Sequence, residues 1–186
     1  MNININDVKN GMSVLINNNL YYVISFQHVK PGKGPAFIRI KLKNIKTGAT
    51  IEETFNTNIK LERAHIEKID AQFLYESGNN FVFMNLSNYD QVEVNKDKLE
   101  LRQHFIKEGS VISIEYHEGE IIGIDMPEKL EFEVIETEPA VKGNTAQNAT
   151  KDAKIETNFI VKVPLFINVG DKIIISTRDG SYSSRA

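Results

Sequence analysis

An all-β chain assembled from small barrels or sandwiches is what this sequence predicts, and three observations lead there. Short runs rich in β-branched and aromatic residues recur along it, turn-forming residues bound them, and helical periodicity is scarce. Tyr21–Phe26, Phe37–Lys43, Gln72–Tyr75, Phe81–Leu86, Val111–Tyr116, Ile121–Asp125, Phe132–Thr137, Phe159–Val163 and Lys172–Thr177 each read as a strand. Many short strands at close spacing are the mark of small barrels or sandwiches.

The connections follow. Glu76-Ser77-Gly78-Asn79, His117-Glu118-Gly119-Glu120 and Arg178-Asp179-Gly180 read as tight turns. A single helix is expected between Asn95 and Ile106, with Asn95 as its N-cap, Leu99 and Ile106 among its apolar positions and Gly109 beyond its end. Ala140 to Ala153 is small and polar, and reads as a long exposed loop.

The 186 residues are 41% hydrophobic and 25% charged, enough for one medium domain or two to three small ones. The net charge of −3 hides a segregation. Residues 1–64 carry nine basic and four acidic groups, residues 65–128 five and thirteen, and residues 129–186 eight of each. Those shifts coincide with breaks between strand clusters, so we expect domains at 1–64, 65–128 and 129–186. A basic end can meet phosphate, whereas an acidic middle is repelled from non-specific nucleic-acid binding.

Cysteine is absent, which removes disulfides and thiolate metal sites and fits a cytoplasmic protein. The opening residues alternate apolar and polar types without a secretory signal's basic and apolar regions. No apolar run approaches the roughly 20 residues that span a bilayer, so no membrane role is expected. His28, His65, His104 and His117 are scattered without metal-ligand or His-carboxylate spacing. No phosphate-cradling Gly-rich loop and no nucleophile elbow is present, and a lysine at a hairpin tip lacks the desolvated pocket that Schiff-base chemistry needs. Neither an enzyme nor a metal or cofactor site is expected.

The most informative stretch runs from His28 to Lys43. Ile38, Ile40 and Leu42 alternate with Arg39, Lys41 and Lys43, which puts three cations on one strand face and three aliphatics on the other. Pro31-Gly32 predicts a type II turn with Gly32 at positive φ, and Lys33 stands at the resulting hairpin tip. From Val8 to Ile51 there is no acidic residue and there are seven basic ones. A one-sided basic strand suits a phosphate backbone, yet lysine-rich faces are also often merely solvated, and lysine guards sheet edges. Taken alone, Lys33 reads as a solvated loop lysine.

Val29-Lys30-Pro31-Gly32-Lys33-Gly34, followed by Ala36-Phe37 and Arg39-Ile40-Lys41-Leu42-Lys43, resembles the tip motif of the elongation factor P family. Lys151-Asp152-Ala153, continuing through Val161-Lys162-Val163-Pro164-Leu165-Phe166-Ile167 to Gly170, resembles that family's C-terminal signature. Thr177 to Arg185 follows its ending. The resemblance runs in order along essentially the whole chain.

It implies three small β-barrels in series, an SH3-like, KOW-type barrel followed by two OB-fold barrels, in an elongated tRNA-like shape. It also implies a cytoplasmic, monomeric elongation factor that enters the ribosome beside the P-site peptidyl-tRNA and relieves stalling at consecutive prolines. Lys33 would be the tip residue, commonly extended by a lysine-modifying enzyme. Lys30, Pro31, Gly32, Gly34, Arg39, Lys41 and Lys43 would face tRNA or ribosomal RNA. Gly143, Asn144, Thr145, Tyr182 and Arg185 would face the mRNA and small subunit. Two departures stand out: Asn144 where the family often has Asp, and Asn158 where a glycine is expected. The rival readings are a paralogue of the family serving other stalls and a stand-alone OB-fold nucleic-acid binder. Against the second stand the acidic middle and the inward alternation of Phe81 and Phe83.

Overall fold

The computed structural model describes residues 2–139 and 149–186. Three antiparallel sheets succeed one another along the chain. The first contains β1 (Asn2–Asn4), β2 (Ser13–Ile16), β3 (Asn19–Val29), β4 (Phe37–Asn44), β5 (Thr50–Asn56) and β6 (Lys60–Arg63), in the spatial order β1-β6-β2-β3-β4-β5. Its core gathers Ile5, Val8, Val14, Val23, Ile38, Ile40, Leu42 and Leu61, all buried. The second contains β7 (Glu67–Ser77), β8 (Asn80–Asn85), β9 (Gln91–Asn95), β10 (Val111–His117) and β11 (Glu120–Asp125), in the order β11-β10-β7-β8-β9. The third contains β12 (Lys129–Thr137), β13 (Thr150–Ile155), β14 (Ile160–Pro164), β15 (Lys172–Ser176) and β16 (Tyr182–Arg185), in the order β14-β13-β12-β15-β16.

By contact the chain divides into two units, Met1–Lys68 with Glu115–Ile122, and Ile69–Ile114 with Gly123–Ala186. The distal ends of β10 and β11, with the turn between them, therefore group with the first sheet.

Several expectations need correction. The strand runs named above are strands, but β1, β2, β5, β6, β9, β13 and β16 add to them. Thr150 to Ala153, read as loop, belong to β13, because Lys151 and Ala153 alternate inward opposite Val163 and Val161. The helix is only one turn, α1 (Lys96–Leu99), with the Asn95 side chain accepting from the Asp97 N–H as expected of an N-cap. Glu100, at φ 51°, breaks it, and Glu100–Phe105 continues as 3₁₀ helix. Leu99 and Phe105 are both buried. Six residues apart, they would sit about 120° from each other around an unbroken α-helix. The break lets both reach the core.

Asn158, where the resemblance leads one to expect glycine, adopts φ 67° and closes the β13–β14 turn, with its N–H on the Ile155 carbonyl. Asparagine is among the residues most tolerant of that conformation. In the β15–β16 turn, the Ser181 hydroxyl and N–H donate to Asp179 and hold its carboxyl below its ordinary range.

Within the second unit, ring contacts and the Lys107–Glu156 ion pair join the 3₁₀ segment after β9 to the third sheet. Phe105 meets Phe132 at 5.9 Å and Phe159 at 5.1 Å between centroids, and His104 stacks on Phe159 at 5.4 Å. Lys107 lies 4.6 Å above the Phe132 ring and donates to the Glu131 carbonyl and to Glu156 at 2.6 Å. Burial pushes the Glu156 carboxyl up. Hydrogen bonds from Lys107 and the Glu133 N–H, with the charges of Lys107 and Lys172, outweigh it and hold the group below the ordinary range. A carboxyl with a depressed folded-state pKa stabilises fully above its unfolded value and loses that contribution as the pH falls through the folded one.

Two outcomes follow for stability. Gly180 has φ 74°, and a Cβ there would lie 3.0 Å from Phe159 Cζ and 3.5 Å from Leu101 Cδ2. Gly180→Ala is expected to lower unfolding stability in urea by about 1–3 kcal/mol. Lys107→Met keeps the stem against Phe132 and removes the charge. Its stability deficit is expected to shrink as the pH is lowered through and below the ordinary carboxylate range, measured by urea titrations at several pH values; a pH-independent deficit contradicts the assignment.

Candidate functional site

The candidate site is built from β3, β4 and β5. Strand β3 pairs with β4 from Tyr21↔Asn44 to Val29↔Phe37, and β4 pairs with β5 from Lys43↔Thr50 to Phe37↔Asn56. Strand β2 accompanies β3 only from Ile16↔Asn19 to Ser13↔Tyr22. A bulge between Val23 and Ser25 marks where β3 leaves β2 and becomes an edge. The arm beyond is three-stranded, stiffer than the two-stranded hairpin read from the sequence. Strand β5 escaped that reading because Glu53 interrupts its apolar series Ile51-Glu53-Phe55. Glu53 sits on the inward side of an edge strand, a placement that discourages strand addition from outside.

The alternation in β4 is as expected. Ile38, Ile40 and Leu42 are fully buried, Arg39 and Lys41 are exposed, and Lys43 is half-buried. Cross-strand register adds Gln27 and Ser25 from β3 and Thr54, Glu52 and Thr50 from β5 to the basic face. Glu52 lies opposite Lys41 and 3.4 Å from Arg39 Nε. Both partners of that pair are about half exposed, so it contributes little and phosphate can displace it. The linear count stopped at Ile51 and missed this carboxylate, which the β4–β5 turn folds back onto the cations.

At the end of the arm, Lys30, Pro31, Gly32, Lys33, Gly34 and Pro35 are all exposed. The turn differs from the expected one. Gly34, at φ 111°, holds the positive-φ position instead of Gly32. Pro35 explains this in part, because the residue before a proline is driven out of the helical region. A Cβ at Gly34 would lie 3.9 Å from the Pro31 ring, so the loop packs lightly on itself and leaves Lys33 outward. Lys33 has no ion-pair partner among the described residues.

The remaining predicted residues lie elsewhere. Tyr182 and Arg185 are in β16, where Tyr182 pairs with Ile175 and Arg185 with Ile173, so this terminus is a strand. Arg185 Nη2 is 2.8 Å from Asp171 Oδ1 and is already held. Gly143, Asn144 and Thr145 lie outside the described residues. Among the described residues no group of three or more His, Asp or Glu could hold a metal ion, and no helix is long and apolar enough to cross a membrane.

Comparison with known proteins agrees along the chain. The family described as elongation factor P (EF-P) KOW-like domain matches residues 4–61, the elongation factor P (EF-P) OB domain residues 66–124, and elongation factor P, C-terminal, residues 130–185. Elongation factor P of Phytoplasma australiense is 50% identical over 184 residues, covering 98% of this chain and 97% of that protein. The elongation factor P of onion yellows phytoplasma (strain OY-M) is 49% identical, again over 98% and 97%. Among solved structures, a eukaryotic translation initiation factor 5A from Methanococcus jannaschii shares the fold, with a TM-score of 0.54 and 23% identity over 67% of this chain and 93% of that one. The chain belongs to the elongation factor P family of translation elongation factors.

Proposed function

We propose that this chain binds the ribosome beside the P-site peptidyl-tRNA and promotes peptide-bond formation at consecutive prolines, with Lys33 placed against the tRNA acceptor end. The observation that carries the reading is Lys33 itself, outward and without an ion-pair partner among the described residues, at the end of a braced arm with cations along one face.

Proline is a slow acceptor and donor, since its ring fixes φ and limits the geometries its amine and ester can adopt. A nascent chain ending in prolines leaves the P-site tRNA poorly aligned. An ammonium at the acceptor end supports a reactive geometry, which is orientational assistance, while the ribosome supplies the chemistry. Arg39, Lys41 and Lys43 neutralise phosphates of tRNA or ribosomal RNA, and Lys30, Pro31, Gly32 and Gly34 shape the tip. An enzyme that extends the Lys33 side chain would lengthen that reach, and the exposed turn suits such access. The protein acts as a cytoplasmic monomer of three modules, 1–64, 65–128 and 129–186. Asn144, with Gly143 and Thr145, faces the mRNA side, and Tyr182 and Arg185 the small subunit.

Translation of a proline-run template in a reconstituted system tests this. Lys33→Ala is expected to keep the wild-type melting temperature, because the side chain is exposed and has no ion-pair partner among the described residues, and to lose rescue; full rescue by Lys33→Ala ends the proposal. Lys41→Ala should weaken ribosome binding uniformly and reduce the slope of log affinity against log salt by about one unit.

A further inference from the structure

The root of the arm is fastened by a carboxylate that belongs to another sheet. Tyr22 lies on β3 one residue before the bulged register begins, opposite Ser13 on β2 and Lys43 on β4. Its hydroxyl donates to Glu115 Oε2 at 2.6 Å. Glu115 Oε1 is 3.1 Å from Lys68 Nζ, and the glutamate side chain is only 13% exposed. Two further contacts hold the same hairpin, one to the segment between β6 and β7 and one to the β4–β5 turn of the first sheet. His117 Nδ1 is 3.1 Å from the His65 carbonyl oxygen, and Lys46 Nζ is 3.7 Å from Glu120. The Lys46 pair is largely exposed and weak, whereas Glu115 itself is mostly withdrawn from water, beside a half-exposed Lys68, and is anchored by a hydroxyl as well as a charge. All these residues fall within one unit by contact.

We infer that Glu115 is a positioning residue for the tip, holding Tyr22 so that the arm leaves its sheet in one direction. The inference rests on the proposed role of Lys33. Tyr22 to Val29 spans seven residue steps, roughly 23 Å at the strand rise, so a tilt of about 5° at the root moves the tip by about 2 Å. Misplacement of about 1 Å can cost about a hundredfold in an orientation-dependent reaction. Glu115 serves because it takes a hydrogen bond and an ion pair at once from β3 and β7, a constraint a single surface pair cannot supply. Its effect belongs to the reactive complex. Binding along the cationic face uses Arg39 and Lys41, which it does not touch.

The test uses the full-length protein in the proline-run assay, titrated to saturation, with Glu115→Gln, Tyr22→Phe and the double variant. Tyr22→Phe deletes one oxygen and keeps the ring, so it remains informative should Glu115→Gln fold poorly. Each single variant is expected to lower the saturating rate about three- to tenfold without changing the half-saturating concentration. The double variant should lose less than the product of the two single losses, because Tyr22 and Glu115 share one hydrogen bond. An undiminished saturating rate overturns the inference, as does a rate lost only in step with the melting temperature. Lys33→Ala, run alongside, separates the two statements. If it is slow while Glu115→Gln is normal, the clamp is wrong; if it is normal, the tip reading beneath is wrong.

Discussion

The alternation of Ile38, Ile40 and Leu42 with Arg39, Lys41 and Lys43 is the constraint on which the arm depends. Each buried aliphatic stabilises by about 1.5–3 kcal/mol, and a cation forced into that core unpaired would cost several kcal/mol. A one-residue slip of β4 exchanges the two sets, so any slip by an odd number of residues is disfavoured twice over. The same residues therefore build the barrel and aim its charge. The cationic face follows from filling the core correctly, and strand β5 extends it by supplying the third strand that makes the arm stiff.

Stiffness at the tip then depends on what the arm is fastened to. At its root, Tyr22, Glu115 and Lys68 replace a ladder of backbone bonds with side-chain contacts, at the place where β2 ends and β3 has lost one neighbour. The second unit uses a different device. Phe105, Phe132 and Phe159 form its apolar contact, and Lys107 closes over it with its stem on a ring and its ammonium on Glu156. One junction is polar and the other aromatic. Small barrels of about 60 residues bury too little surface to be robust alone, which is why both devices matter.

Much of this was legible in the residues, and what was not has physical reasons. The strands rich in β-branched and aromatic side chains were evident. Strands such as Thr50–Asn56 and Thr150–Ile155 were not, because a glutamate in the one and a lysine in the other stand at inward positions and only the paired neighbour explains it. Lys151 is buried, donating to the Glu138 carbonyl, where a lone lysine reads as surface. The helix after Asn95 was correctly started, since capping is local, but its break at Glu100 is set by two core positions that local pattern cannot weigh. The tip was found by its motif, while the turn type was misassigned because Pro35 and its effect on Gly34 were underweighted against Pro31. Glu52, Tyr22 and Glu115 were invisible, for each matters only through a residue far away in sequence.

A photo-crosslinking amino acid placed at position 33 and carried to ribosomes stalled on a proline run tests the central claim most directly. The account predicts that the crosslink forms to the 3′ end of the P-site tRNA. Crosslinks confined to ribosomal protein or to water, with the factor bound, would contradict it.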